Sequence, residues 1–559
     1  MSFSPMNHTP EFESCALPPN LYFRFLLPKE PVDRKKVDTE KQRLWPAASP
    51  NTKSAPNSYR TTSDRSHFSL QDPSRPNAMS DPSLFSRNGL RLFVICSLLT
   101  AITNFPSGFS HTSINTAVHK MNDYLNSSFT ERFRPLDHGE VSLLKSGINS
   151  AWYLAQVAGA MSSPYLCDTY GRKVAFAISI FMMTVAGGMQ MLASYTPYHE
   201  VLIAGRLIAA VFSPLSDAAL ILYLQEISPA SLRGTMSSLF STGYSTMCLL
   251  GMILGHECLL GHSLTLLLFV PVIPGVLSTL FICWIPETPK FLLFAKNDKQ
   301  AALDSLRFYQ GHLPDQALLL DTMAQRGKDD KQEDPTESGI VHLFRTPHLR
   351  RAFLLSVSAL ILTLPFYPIL QSSTFFFTDM GVSIETSQIA SSLLMVALTC
   401  SSICSTLVID RFNRRTMLLL CGSASVIFLC LFGLAEQLQY QITAIGACFG
   451  FIVAYGTGVG PVVWSIPPEL SPLEYRSLMF CLCYSVHSIL VVVTNFSTIP
   501  LFMSIGAFSF VLLFAIPSSF ALIYLFLRLP ETKGREIYHI IADLKSSGRV
   551  AEKTLEIPA

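Results

Sequence analysis

The chain has 559 residues, of which 49% are hydrophobic and only 14% are charged, whereas a soluble protein normally carries about 25% charged residues. Its net charge of +2 gives no reason to expect nucleic acid as a partner. Uncharged runs such as 354–377 are long enough to cross a bilayer as helices. Composition therefore excludes an ordinary soluble domain and indicates an all-α polytopic membrane protein whose surroundings are the lipid bilayer.

Taken in chain order, the pattern predicts five segments. Residues 1–88 are rich in Ser, Pro and Asn and are expected to be a disordered tail. Residues 89–284 and 352–528 each hold six apolar runs, which makes about twelve transmembrane helices in all. The polar segment 285–351 between them is predicted to be a linker with short helices, and 529–559 a C-terminal tail. The predicted spans lie near 90–111, 141–166, 174–194, 200–225, 235–256 and 264–284, and then near 352–377, 387–409, 416–435, 441–468, 477–499 and 504–528.

Three short motifs occur twice, in one order and at a nearly constant separation. They are DTYGRK from Asp168 and DRFNRR from Asp410, EISPASLR from Glu226 and ELSPLEYR from Glu469, and Pro-Glu-Thr around Glu287 and Glu531. Three motifs repeated in one register indicate an internal duplication. In a membrane chain, such a duplication is typical of a transporter built from two similar halves.

The distribution of Lys and Arg among the loops predicts the orientation. The basic loops contain Arg172, Lys173, Arg233, the central linker, Arg411, Arg414, Arg415, Arg476, Lys533 and Arg535, whereas the opposite loops after the first one contain no Lys or Arg. The linker and both termini are therefore predicted to be cytoplasmic, with the plasma membrane as the default location. The first outer loop contains Asn126-Ser127-Ser128, a glycosylation sequon on the side where glycosylation is possible.

The repeated charges lie at helix ends on the predicted cytoplasmic side. Carboxylates and guanidiniums placed there can pair with one another and complement helix dipoles. We expect them to latch the halves together when this side is closed and to separate when the halves rock apart; the alternative is that they are solvated loop charges. The predicted latch comprises Asp168, Arg172, Lys173, Arg206, Glu226, Arg233 and Glu287, and then Asp410, Arg411, Arg414, Arg415, Glu469, Arg476 and Glu531.

Several longer motifs resemble a known family over about residues 90–540. They are Gly205-Arg206, EISPASLRG, IPETPKFLL, DRFNRR, GVGPVVWSIPPELSP and LPETKGR. Together they resemble the sugar porter branch of the major facilitator superfamily, and within it the facilitative glucose transporters. The resemblance implies two six-helix bundles, a central solute cavity and alternating access. It also implies that Gly460, Pro461 and Trp464 of the tenth span lie at the cavity.

Other positions at which this family reads sugar hydroxyls are changed. The glutamine of the fifth span falls at Ser241, and the seventh span reads LTLPFYPILQSS with Gln371 as its single amide. The asparagine of the eighth span falls near Leu398. The eleventh span has Val491 and Val492 where the family has Asn-Trp, although Asn495 fits. We therefore expect a less polar or differently shaped substrate, weak sugar transport, or loss of transport.

Two ionisable residues inside spans are candidates to replace the missing groups. Asp217 lies midway along the fourth span, about three turns after Arg206 and on the same face. A carboxylate at membrane depth is costly and usually faces a cavity or a partner. Asp217 is predicted either to contact substrate or exchange a proton, or to make a structural hydrogen bond; His487 is predicted to be a cavity residue or a core hydrogen-bonding group. Proton-coupled sugar porters carry an Asp about at Ser110, where this chain has no titratable group.

Three functions remain open from the sequence. The first is facilitative transport of a hexose or related small solute, and the second is proton-coupled symport that uses Asp217 or His487. The third is a transport-inactive sensor that signals through residues 1–88. No GxxxxGK[ST] loop, catalytic constellation or metal-ligand spacing among the 13 cysteines is evident. We therefore expect neither an enzyme nor an ATP-driven pump, and no cofactor, nucleotide or metal.

Overall fold

The computed structural model describes residues 86–545, with gaps at 117, 133–137, 230, 256, 313–315, 319, 322–338, 534 and 536–538. Nearly all of the predicted N-terminal tail, the centre of the linker and most of the C-terminal tail lie outside the described residues. The chain divides into one unit of Met1–Ser80 with Thr336–His342 and another of Asp81–Pro335 with Leu343–Ala559. The second unit contains the membrane helices.

The first half of the molecule is helical almost throughout. Its helices are α1 (Arg87–Asn104), α2 (Ser110–Thr116), α3 (Val118–Arg132), α4 (His138–Thr169), α5 (Arg172–Ala193), α6 (His199–Ile227), α7 (Arg233–Leu254), α8 (Leu264–Phe269) and α9 (Val272–Trp284). A π-helical turn, Phe105–Phe109, joins α1 to α2. Two short helices, α10 (Pro289–Phe294) and α11 (Lys299–Gln310), follow in the linker. The end of the membrane helices near α10 and α11 is called the linker face below.

The second half repeats this plan. Its helices are α12 (Ile340–Arg345), α13 (Pro347–Ile361), α14 (Phe366–Asp379), α15 (Ile384–Val408), α16 (Arg414–Gln437), α17 (Gln441–Ala454), α18 (Gly460–Val463), α19 (Ile466–Glu469), α20 (Arg476–Ile505), α21 (Phe508–Phe510) and α22 (Ile516–Arg528). π-Helical turns at Tyr455–Val459 and Val511–Ala515 connect α17 to α18 and α21 to α22.

The prediction of a polytopic helical membrane protein is confirmed. Within the described residues, eleven helices are long and apolar enough to cross a bilayer. Helix α4, with 32 residues, also exceeds the roughly 20 residues that a crossing requires. Each predicted span is helical, but the sixth is interrupted at 270–271, the seventh at 362–365 and the tenth at 464–465. Pro271 and Pro365 lie at the first two of these breaks, because proline has no N–H to continue a helix.

The helices of each half pack mainly on one another, and the two halves meet along two pairs of helices. Helix α4 of the first half packs against α20 of the second, and α7 packs against α15. In each pair, the second membrane helix of one half (α4 or α15) packs against the fifth membrane helix of the other half (α20 or α7). The contact between α7 and α15 includes hydroxyl groups, with Thr242 Oγ1 2.6 Å from Thr406 Oγ1 and Thr399 Oγ1 donating to the Ser245 carbonyl.

Candidate functional site

A cavity lies between the two halves near the middle of the membrane helices. The first half contributes Asn104, Ser107, His111, Tyr153, Gln156, Ser213, Asp217, Phe240, Ser241 and Tyr244, and the second half contributes Phe366, Tyr367, Tyr455, Trp464, Tyr484 and His487. This space is called the central cavity. Its wall combines hydroxyl, amide and imidazole groups with eight aromatic rings, so it can hydrogen-bond a polar solute and also contact its apolar faces.

Four of the residues predicted for the cavity line it, namely Trp464, Asp217, Ser241 and His487. Gly460 lies directly behind the wall, where a side chain would meet Ser241 Oγ and the Tyr455 ring. Pro461 is buried in α18 next to it.

Gln371 and Asn495 occupy a different place from the other predicted cavity residues. Gln371 Nε2 donates to Tyr153 OH at 2.5 Å, and Asn495 Nδ2 lies 3.5 Å from Gln371 Oε1. These contacts join α14 and α20 of the second half to α4 of the first. Helix α14 is bent at Ser372, the residue after Gln371, whose φ and ψ of −138° and 15° are not helical. Gln371 therefore connects the halves at the side of the cavity that faces away from the linker, and Asn495 contacts Gln371 from within the second half.

Asp217 lies in the cavity wall on α6, and its side chain is buried. Its Oδ2 atom accepts a hydrogen bond from Tyr484 OH at 3.0 Å, across the boundary between the halves. In the described part of the chain, Asp217 forms no ion pair. Asp217 therefore makes an interhelical hydrogen bond and also faces the cavity, while its contact with substrate or exchange of a proton stays a prediction.

The two histidines of the cavity have different surroundings. His487 Nε2 lies 2.9 Å from Thr363 Oγ1, and that hydroxyl donates to the Leu360 carbonyl. Because the hydroxyl has a single proton, Nε2 must be the donor in its contact with His487. His111 Nδ1 lies 2.9 Å from Tyr244 OH, and its buried Nε2 has no hydrogen-bond partner in the described structure.

The aromatic character of the cavity was not predicted. Five tyrosines and two phenylalanines line it in addition to Trp464. The Phe366 and Tyr455 rings stack with their centres 4.4 Å apart. The ring centre of Trp464 lies 5.1 Å from that of His487 and 5.5 Å from that of Tyr484. The sequence did contain a signal for it, namely the tyrosines inside apolar spans. The hydroxyl of a buried tyrosine needs a hydrogen-bond partner, whereas an ordinary apolar core residue does not.

The repeated motifs of the first half form a cluster at the linker face in which Arg172 and Glu226 are buried and Asp168 is exposed. Arg172 Nη2 lies 3.2 Å from Glu226 Oε1 and 3.5 Å from Asp168 Oδ1. The other carboxylate oxygen of Glu226 accepts from Thr288 Oγ1 at 2.6 Å. The carboxylate of Glu226 is therefore satisfied by groups from two other motifs of the same half.

The second half contains the equivalent cluster. Arg414 forms a buried ion pair with Glu469 and lies 3.9 Å from Asp410 Oδ1. Glu531 accepts from the backbone N–H groups of Arg414 and Arg415 at 3.0 and 3.2 Å, and so caps the first turn of α16. The duplication in sequence thus corresponds to a duplication in contacts.

Glu287 has the same role in the first half that Glu531 has in the second. Its Oε2 atom accepts from the Lys173 N–H at 2.9 Å, at the start of α5. Gly171, with φ of 103°, leaves room for this carboxylate, because a side chain there would collide with it. Burial raises the pKa of the Glu287 carboxyl, while the hydrogen bonds from the Thr288 and Lys173 N–H groups oppose this rise.

Three hydrogen bonds cross between the halves at the linker face. Ser477 Oγ donates to Asp168 Oδ1 at 2.7 Å, and Thr235 donates to Asp410 Oδ2 through its N–H at 2.9 Å and its hydroxyl at 2.5 Å. In each case the Asp after the second membrane helix of one half meets the start of the fifth helix of the other. Asp410 approaches so closely that a side chain at Gly234 would overlap it.

The other basic residues of the predicted latch are placed differently. Arg206 lies in the second turn of α6, about 30 Å along the helix from Glu226, with its guanidinium 5.5 Å from the centre of the Trp152 ring. Arg233 and Arg476 are buried, but neither forms an ion pair within the described residues, and Nε of each lacks a partner there. Arg411 is exposed and accepts from Lys533 Nζ through its carbonyl.

Asn126 is exposed on α3, a helix between the first and second membrane helices and at the end opposite the linker face. The third residue of its sequon, Ser128, is buried and donates to the Pro197 carbonyl at 2.7 Å.

The family model for sugar (and other) transporters matches residues 96–544. Solute carrier family 2, facilitated glucose transporter member 7 of Homo sapiens is 25% identical over 480 residues, which cover 83% of this chain and 92% of that protein. Member 3 of Oryctolagus cuniculus is 26% identical over 478 residues, which cover 82% and 94%.

Solved structures show the same fold. The proton:xylose symporter XylE bound to 6-bromo-6-deoxy-D-glucose aligns with a TM-score of 0.68 at 16% identity, covering 81% of this chain and 99% of that chain. The inward-open conformation of XylE from E. coli aligns with a lower TM-score of 0.57 at 17% identity, with the same two coverages. This is a major facilitator superfamily fold, as the motifs implied.

The family model covers most of the chain and includes every repeated motif, and the membrane helices form the fold that such motifs imply. The chain is therefore a multi-pass membrane protein that belongs to the sugar (and other) transporter family, a family of transporters and not of enzymes.

Proposed function

We propose that the protein is a facilitative transporter of a hexose or a closely related small solute and that it works by alternating access. The observation that carries this proposal is the central cavity, whose wall is shared between two similar halves. A solute held between two halves that can rock against each other is exposed to one side of the membrane at a time.

The groups of the wall suit a hydroxylated solute. A sugar hydroxyl needs both a donor and an acceptor, and Gln156, Asn104 and His487 supply these beside several hydroxyl groups. The ring of Trp464 can stack on the apolar face of a pyranose. Several amides that the resemblance implies at other positions are replaced here, and five tyrosines line the cavity beside the remaining polar groups.

The contacts at the linker face support the rocking motion. The ion pairs of Arg172 and Arg414 lie within their own halves and can persist when the halves move apart. The bonds from Ser477 to Asp168 and from Thr235 to Asp410 must break when the linker face opens. We assign these contacts as the latch that closes this face.

Proton-coupled symport is the second candidate, and one observation favours it. Asp217 is a buried carboxylate in the cavity wall with no cationic partner among the described residues, and such a group can exchange a proton during transport. If transport is coupled in this way, Asp217→Asn should abolish its dependence on a proton gradient.

Uptake by purified protein in liposomes tests the proposed function. We expect saturable uptake of radiolabelled glucose, fructose or a polyol that does not depend on an imposed proton gradient. Trp464→Ala should raise KM up to about tenfold, because contacts with an aromatic ring contribute roughly 0.5–1.5 kcal/mol beyond the area they bury. Trp284→Ala is the matched control, since Trp284 is 70% exposed on the outside of the helices.

Two results would contradict this proposal. Uptake that requires a proton gradient would favour the symporter, and absence of uptake by folded protein would favour a transport-inactive sensor.

We also propose that the linker and both termini are cytoplasmic and that the protein resides in the plasma membrane. This orientation places Asn126 outside, so a glycosidase should reduce the mass of the wild type but not of Asn126→Gln. An unchanged wild-type mass would remove this support for the orientation.

A further inference from the structure

The buried carboxylate of Asp217 is only half satisfied. Tyr484 OH reaches Oδ2 at 3.0 Å, and no other donor contacts Asp217 in the described part of the chain. The other carboxylate oxygen, Oδ1, is not enclosed by the protein without a partner. The residue lines the central cavity. One face of the carboxylate is therefore available to a bound solute.

Aromatic rings surround the same part of the cavity. The ring centre of Tyr484, which donates to Asp217, lies 5.5 Å from that of Trp464. One turn further along α20, the ring centre of His487 lies 5.5 Å from that of Tyr367. The faces of tyrosine and tryptophan rings attract cations, and aromatic cages of this kind recognise substituted ammonium groups. In this cavity, the carboxylate of Asp217 can provide the charge for an amine, and the rings of Tyr484, Trp464 and Tyr367 can provide the apolar surface.

The other ionisable groups near the cavity do not neutralise Asp217. His487 is held by Thr363 and His111 by Tyr244. Arg206 lies eleven residues earlier on α6, about 16 Å along the helix axis, and its guanidinium is over the Trp152 ring. An unpaired carboxylate at membrane depth is costly, and a bound cation would reduce this cost.

We propose that the central cavity binds and transports a small hydroxylated solute that carries a protonated amino group, as an amino sugar does, with its ammonium on Asp217. This inference rests on the proposed function, because it takes the central cavity as the transport site. The hydroxyls of the solute contact the polar groups of the wall, as they do for a neutral hexose. The ammonium adds one charged contact that a neutral hexose cannot make.

The test compares glucosamine with glucose, which has a hydroxyl in place of the ammonium. Uptake of each radiolabelled solute is measured in liposomes with and without an inside-negative potassium diffusion potential. Moving one elementary charge through 100 mV is worth about 2.3 kcal/mol, so roughly 60 mV should accumulate glucosamine about tenfold and leave glucose unaffected. We also expect wild-type protein to take up glucosamine at least tenfold more efficiently than glucose.

Variants of Asp217 identify the residue responsible. Asp217→Asn should reduce the ratio of glucosamine to glucose uptake at least tenfold, while Asp217→Glu, which keeps the charge, should preserve the preference. Thermal unfolding in detergent shows whether each variant is folded, and glucosamine should raise the unfolding temperature of the wild type but not of Asp217→Asn.

The outcomes separate this inference from the proposed function. Saturable glucose uptake without a preference for glucosamine, or an Asp217→Asn variant that keeps the preference, would overturn the amine proposal and leave sugar transport intact. Uptake of neither solute by folded protein would overturn both.

Discussion

Arg414→Ala is expected to lower the free energy of unfolding by about 3–5 kcal/mol, the usual cost of removing one partner of a buried ion pair. Arg414 and Glu469 are both almost fully buried, and Arg414 is the residue with which Glu469 forms its ion pair. Glu469 Oε2 already lacks a hydrogen-bond partner in the described structure. Without Arg414, the whole carboxylate would remain buried and uncompensated. Thermal or chemical unfolding of purified protein in detergent measures the effect.

The adjacent Arg415 provides the matched control. Its guanidinium donates to the Phe526 carbonyl in an exposed position, and Arg415→Ala removes the same charge from the same turn of α16. Exposed contacts of this kind contribute about 1 kcal/mol or less. Equal destabilisation by the two substitutions would show that burial of the ion pair is not what matters.

The double substitution Ser477→Ala and Thr235→Val is expected to shift the protein toward a state that is open at the linker face. Each removes a hydroxyl that donates to a carboxylate of the opposite half, while the ion pairs within each half remain. Hydrogen bonds to charged groups contribute about 1.5–3 kcal/mol each. Loss of both should change the equilibrium between the two states by a factor of 100 or more.

Distances between spin labels measure this shift. Tyr170 and Phe412 are suitable positions, because both are exposed and lie in the loops that follow the second membrane helix of each half. The double variant should show a larger population at long distances. Ser228→Ala is the control, since Ser228 is buried at the same face but donates to the Leu224 carbonyl of its own helix. An unchanged distance distribution in the double variant would mean that these two hydroxyls do not form the latch.

The repeated motifs made much of this architecture predictable. An Asp, an Arg and two Glu residues recurring in one register required two similar halves, and the apolar runs between them located every membrane helix. Local composition was sufficient here because a helix in a bilayer must satisfy its own backbone groups over a fixed length. The breaks in the sixth and seventh spans were less apparent, because a proline inside a membrane helix can be tolerated.

The partners of individual side chains were harder to predict. In sequence, Glu226 appears with Arg233, and Glu469 with Arg476, yet each Glu pairs with the Arg of another motif. The spacing of residues along the sequence does not show which residue of a different helix a side chain will contact. For the same reason, Gln371 was expected in the cavity wall but instead donates to Tyr153. The cavity tyrosines come from separate helices, and only the fold brings them together.

The placement of the charges at the linker face has a thermodynamic consequence. The strong ion pairs are internal to each half, so the contacts that must be exchanged at this face between states are three hydrogen bonds worth about 4.5–9 kcal/mol. Binding of a solute with a millimolar to micromolar Kd releases about 4–8 kcal/mol. The two quantities are of similar size, so occupancy of the cavity is sufficient to rebalance the two states. For an uncharged solute, we therefore expect the concentrations on the two sides of the membrane to set the rate and sign of net flux, without any other source of energy.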